Sequence, residues 1–116
     1  WNKVINLNLN VNYRIIRSFE PLLKISKSAD VIFVSDSKNQ KLDPYWGAYN
    51  ISKIGLEALV KTWEKEINLT NIKAHIFNPL DMDTQLRSSF MPGEINKNLK
   101  NPDEMASLLI DLIRKN

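Results

Sequence analysis

The stretch Gly47-Ala48-Tyr49-Asn50-Ile51-Ser52-Lys53 holds the residues best suited to chemistry. On a helix, side chains four apart share a face, so the Lys53 ammonium can stand beside the Tyr49 phenol. A phenol ordinarily ionises near pH ~10, and a neighbouring cation favours the phenolate. Such a pair can give a proton to a reacting oxygen or take one from it. Taken alone the spacing arises by chance, and a half-buried tyrosine with a solvated lysine explains it more simply. The elements around the pair therefore carry the argument. The remaining candidates are weaker. His75, the single histidine, lies in a strand-like run and reads as a packing or surface residue, and Asp81 and Asp83 lack the further ligands of a metal site. Tyr45, Trp46, Tyr49 and Trp63 read as packing aromatics rather than a ligand box.

Val31-Ile32-Phe33-Val34 is short, β-branched and apolar on both faces, as in a strand buried within a parallel sheet. Polar turn chemistry follows through Asn39, Asp43 and Pro44. From Gly47 to about Asn68 the residues Tyr49, Leu56, Leu59, Val60, Trp63 and Ile67 step by three and four, which predicts a helix with small residues at Gly47, Ala48, Gly55 and Ala58. A second strand is expected over Ile72–Phe77, stopping at Asn78-Pro79. Residues 80–100 have no steady period and contain Pro92-Gly93, so they read as a mobile loop with one helical turn. Asn101 as cap, Pro102 in the first helical position and Asp103-Glu104 in the first turn mark a last helix, with Met105, Leu108, Leu109, Leu112 and Ile113 as its apolar face.

The first residues can be read two ways. Leu7, Leu9 and Val11 alternate with asparagines, a strand pattern, yet Val4, Leu7 or Asn8, Val11, Ile15, Phe19, Leu22 and Leu23 recur at helical steps. A helix over 3–27 is favoured. The order is then helix, strand, helix, strand, helix. A strand, crossover helix and parallel strand form a right-handed unit. Two parallel strands cannot make a sheet covered on both faces, so further strands must come from additional chain or from a partner. Trp1 in place of an initiator methionine likewise predicts that the chain continues a longer polypeptide.

With these elements placed, the sequence resembles the short-chain dehydrogenase/reductase family almost from end to end. The matching features are the strand with its serines at 31–37, Tyr49 and Lys53, the strand leading into Asn78-Pro79, Thr84, and the Asn-bearing helix opening at Trp1–Leu9. The resemblance implies an α/β fold, part of a doubly wound parallel-sheet (Rossmann-like) domain. Residues 1–116 would be its carboxyl-terminal portion, with the amino-terminal half absent. It implies an NAD(P)-dependent oxidoreductase transferring hydride between a nicotinamide and a carbonyl or alcohol. Tyr49 would be proton donor and acceptor. Lys53 would lower its pKa and bind the nicotinamide ribose, and Asn8 would hold a relay water. Thr84 and Pro79 would complete the cofactor site, with NAD or NADP as cofactor. A homodimer or homotetramer through helices 3–27 and 47–68 is also implied, with the segment inactive alone. The Gly-rich dinucleotide turn is absent from these residues.

Two positions depart from that pattern. Asp36, thirteen residues before Tyr49, stands where the family has a serine. An ionised carboxylate only accepts hydrogen bonds and opposes an oxyanion, so Ser35 or Ser37 would have to supply the hydroxyl after a one-residue adjustment. Leu80 replaces a glycine. The alternative reading is accordingly a catalytically impaired family member or fragment serving assembly.

Composition narrows the rest. The 116 residues, 43% hydrophobic and 25% charged, suit one globular domain at most. The absence of cysteine excludes disulfides and thiolate metal sites and fits a reducing, cytoplasmic setting. Net charge is +3, but the 16 basic and 13 acidic residues are interspersed, which argues against nucleic acid as a partner. The apolar runs are too short to cross a membrane.

Overall fold

A computed structural model describes residues 1–36, 42–79 and 101–114. Ser37, Leu80, Thr84, the acidic pair at 81 and 83 and the expected loop over 80–100 lie outside the described residues. The chain divides into two compact units, Trp1–Asn78 and Pro79–Asn116.

The first unit opens with a helix in three parts: α1 (Asn2–Ile5), a π-helical turn (Asn6–Asn10) and α2 (Val11–Ile25). The alternating asparagines thus continue a helix rather than a strand, but a distorted one, as expected where poor helix formers crowd together. Asn10 Nδ2 donates to Asn6 Oδ1 at 2.6 Å, and Asn12 Nδ2 to the Asn8 carbonyl at 2.8 Å. A π turn inserts one extra residue, about 100° of helical phase, so the face expected from a uniform period is displaced. Leu9, Ile16 and Leu23 face the core, while Ile15, Phe19 and Leu22 are exposed. The helix ends two residues earlier than expected, at Ile25. Asn71 Nδ2, 3.0 Å from the Leu23 carbonyl, caps that end and also bonds Ser26 O, tying α2 to the start of the second strand.

Strand β1 (Ala29–Val34) pairs parallel with β2 (Ile72–Phe77), Ala29 opposite Ile72 through Val34 opposite Phe77. The ladder runs one residue further, with Ser35 N donating to Phe77 O at 2.9 Å. Between the strands runs α3 (Gly47–Glu66), which also stops two residues short of its expected end. Residues alternate across a strand, so Ala29, Val31 and Phe33 share one face with Ile72, Ala74 and Ile76. Against that face pack Ile16 and Leu23 of α2 and Leu56, Leu59, Val60 and Trp63 of α3. The opposite face carries Asp30, Ile32, Val34, Lys73, His75 and Phe77, and Val34 is 52% exposed. The described helices of this unit cover the first of these faces. On the open face His75 Nε2 meets Asp30 Oδ1 at 2.8 Å, a surface pairing in keeping with the role read for that histidine.

Gly55, one of the small residues of α3, meets the first helix of its own chain. Its Cβ position lies 3.1 Å from Leu9 Cδ2 of the same chain, so the missing side chain serves the contact between α3 and the π turn.

In the second unit α4 (Pro102–Arg114) begins as its start signals predict, with Asp103 N donating to Asn101 Oδ1 at 2.9 Å. Met105 is buried and Leu109 and Leu112 partly so. Leu108 and Ile113, read as part of the same face, flank this narrower stripe and are exposed.

Candidate active site

The end of β1 and the first turn of α3 bring the key groups together. Tyr49 sits in the first turn of α3, and its ring meets Trp46 edge to face with centroids 5.4 Å apart. Its hydroxyl donates to Asp36 Oδ2 at 2.8 Å. Asp36 thus occupies the place opposite the phenol. Ser35 does not supply the hydroxyl there: it is 2% exposed and its Oγ donates to Glu57 Oε2 at 3.3 Å. Strand alternation is the reason, since successive residues leaving β1 point to opposite sides. Glu57, one turn beyond Lys53 on α3, thereby holds the residue next to Asp36.

Lys53 lies on the same helical face as Tyr49, its Nζ 5.8 Å from the ring centroid. Burial lowers the Lys53 ammonium below its ordinary pKa, and the negative charge of Asp36 opposes this by raising it. Desolvation is the larger influence. A lysine whose folded pKa is lowered weakens the fold wherever it is charged, and stability recovers as pH rises from the folded toward the unfolded value. In the Asp36→Asn variant Lys53 is expected to titrate at lower pH still, because the raising influence is gone. NMR of the labelled lysine side chains measures this, and an unchanged or higher titration midpoint would show that the carboxylate is not felt at Lys53.

Asn8 reaches the site from the π turn through Ser52. Its Nδ2 donates to Ser52 Oγ at 3.1 Å, and Ser52 Oγ donates to the Tyr49 carbonyl at 2.7 Å. Ser52 is fully buried. The asparagine side chain is therefore tied to the backbone of Tyr49, fixing the first turn of α3 against the π turn. Ser52 and Glu57 escaped the sequence reading because each looks like an ordinary helical polar residue. Position offered the one signal: Ser52 falls between Tyr49 and Lys53 among small and apolar neighbours. Pro79 opens the second unit, immediately after Asn78 at the end of β2. Among the described residues there is no cluster of acidic or histidine side chains able to hold a metal ion, and no helix is long and apolar enough to cross a membrane.

A parallel α/β unit with a tyrosine and a lysine one helical turn apart beside the end of a strand fits the class of doubly wound, Rossmann-like proteins. Residues 1–94 match the short chain dehydrogenase family. The chain belongs to that family. An uncharacterized oxidoreductase, YciK, of Escherichia coli K12 is 27% identical over 113 residues, covering 97% of this chain and 44% of the relative. A short chain dehydrogenase structure from Salmonella enterica serovar Typhi superposes with a TM-score of 0.84 at 28% identity, covering 94% of this chain and 45% of that one. Another from Shigella flexneri, solved in complex with NADP, gives 0.78 at 28% identity, covering 88% and 42%. The chain spans less than half the length of these proteins.

Proposed function

We propose that the chain is the carboxyl-terminal, proton-transferring part of an NAD(P)-dependent oxidoreductase acting on a small molecule, the amino-terminal half of the domain supplying the dinucleotide turn. The observation that carries this is the placement of the Tyr49 hydroxyl, the Lys53 ammonium and a strand-end side chain around one point. The donor set suits a nicotinamide ribose: Lys53 is half-buried and its ammonium has no hydrogen-bond partner among the described residues, so it has donors to offer a ribose diol. Lys53 and Tyr49 would hold that ribose, with Pro79 and Thr84 contributing further along the cofactor. The nicotinamide, NAD or NADP, supplies the hydride. Tyr49 delivers a proton to the substrate or removes one, and Lys53 biases the phenol toward its ionised form. Asn8 and Ser52 hold the turn bearing Tyr49, and a water on Asn8 would connect Lys53 to solvent. Ser35, through Glu57, anchors Asp36.

The exposed apolar residues Ile15, Phe19 and Leu22 on α2 and Ile51 and Ile54 on α3 support pairing of subunits through these helices, as a homodimer or homotetramer. A cytoplasmic setting agrees with the lack of cysteine. The segment by itself is inactive in this reading, lacking the cofactor-anchoring half.

The experiment is nicotinamide binding by the protein expressed from its complete reading frame, followed through the fluorescence of NADH and NADPH. Saturable binding of either is expected, weakened in Lys53→Met. Binding of neither would refute the oxidoreductase. A second reading, a catalytically impaired relative retained for assembly, is favoured by one observation, the Tyr49–Asp36 bond. It expects cofactor binding without turnover, restored by Asp36→Ser.

A further inference from the structure

Asp36 is a carboxylate within hydrogen-bond distance of the atom that must exchange a proton with substrate. This placement has a chemical consequence for what can react there. Reduction of a carbonyl builds negative charge on oxygen, and a carboxylate in contact with the proton donor opposes that charge while drawing the Tyr49 proton toward itself. Alcohol oxidation passes through the same charge distribution in reverse, so the direction of reaction does not relieve the conflict. Ser35 does not relieve it either, since its hydroxyl is committed to Glu57. A carbon–nitrogen double bond reverses every sign. Its protonated form carries positive charge and an N–H, and a carboxylate with about four acceptor positions can take that N–H in addition to the Tyr49 hydroxyl.

We propose that Asp36 is a specificity-determining residue that directs this site to the imine/amine couple, the protonated imine being bound by its N–H to the Asp36 carboxylate beside Tyr49. The inference rests on the oxidoreductase reading above. In the reduction, the carbon of the C=N bond gains a hydride from a reduced nicotinamide, and a new C–H bond forms. The π pair becomes the nitrogen lone pair, the positive charge disappears, and an amine leaves with the nicotinamide oxidised. An imine arriving unprotonated takes its proton from Tyr49, which is reprotonated from solvent. The charge on the substrate falls as reaction proceeds, so Asp36 binds and orients the imine while Tyr49 sets its protonation. Lys53 on the neighbouring turn balances the carboxylate when no cation is bound.

The test uses the protein from its complete reading frame with 1-pyrroline and cyclopentanone as matched five-membered substrates, and calorimetric binding of pyrrolidinium against cyclopentanol. Wild type is expected to favour the imine by tenfold or more in kcat/KM and to bind the cation more tightly than the alcohol. Asp36→Ser should reverse the preference toward the ketone and lose the cation's advantage, with unchanged circular dichroism. Cofactor binding separates the two levels. Absent binding of NADH and NADPH refutes the oxidoreductase reading and this inference together. Cofactor binding with a ketone preference in wild type, or with pyrrolidinium held no better than cyclopentanol, overturns this inference alone. If turnover is undetectable with both substrates, the calorimetric comparison decides, and Asp36→Asn, which keeps the shape without the charge, should abolish any difference.

Discussion

Tyr49→Phe is expected to abolish turnover while leaving the nicotinamide bound. The substitution removes one oxygen and keeps the ring, so the edge-to-face contact with Trp46 and the place of Lys53 above the ring both survive. What disappears is the only hydroxyl on the ring that can exchange a proton with substrate. Positioned general acid–base groups contribute typically ~10²–10⁴-fold, and the rate should fall by about that factor. The lost bond to Asp36 is a net term of about 1.5–3 kcal/mol for a charged acceptor, enough to lower stability measurably without unfolding the domain. Affinity for the reduced nicotinamide should change by only a few-fold, because in the proposed reading Lys53 keeps its share of the ribose contact when the Tyr49 hydroxyl is lost. Steady-state rates and cofactor fluorescence titrations on the same preparation measure the two quantities. A rate within threefold of wild type would remove Tyr49 from the chemistry, whereas loss of rate and cofactor affinity together would make it a binding residue.

Trp63→Ala should be the most damaging change to the fold. Trp63 is 3% exposed on α3 and packs edge to face on Phe33 of β1, with ring centroids 6.2 Å apart at 86°. It joins the helix that carries Tyr49 to the strand that leads into Asp36. Truncating a buried tryptophan costs about 3–5 kcal/mol, a large share of the ~5–15 kcal/mol that holds a typical domain. Trp63→Phe should cost much less. The indole Nε1 is buried without a hydrogen-bond partner among the described residues, so phenylalanine loses ring area but also removes a donor that was stripped of water. Urea unfolding midpoints test the ordering. Equal losses for the two variants would mean that the ring kept by phenylalanine adds nothing to the packing on Phe33, and a loss below about 1 kcal/mol for alanine would show that Phe33 and its neighbours collapse into the space.

The order of elements and the family were legible because they rest on short-range rules. Apolar steps of three and four mark α3, a β-branched run marks β1, and Asn101 with Pro102 marks the start of α4, each within a few residues of chain. The face of the first helix was not legible. Its period is regular in the sequence, but the π turn at Asn6–Asn10 shifts the phase: of the expected face Leu23 does turn inward, but it is joined by Leu9 and Ile16 while Ile15, Phe19 and Leu22 are exposed. That Tyr49 and Lys53 share a face was legible because one helical turn separates them. Ser52 and Glu57 were missed because their partners, Asn8 and Ser35, are 44 and 22 residues away.

By itself, then, the sequence determined which side chains share a helical turn, where strands and caps fall, and that an acidic residue stands thirteen positions before Tyr49. Tertiary structure decided what that acid touches. Periodicity acts through bonds and repeats every few residues, so it can be read from the chain alone. The pairing of Asp36 with Tyr49, of Ser35 with Glu57 and of Asn8 with Ser52 follows from how β1, α3 and the π turn pack, and packing is settled by the shapes of residues far apart in sequence.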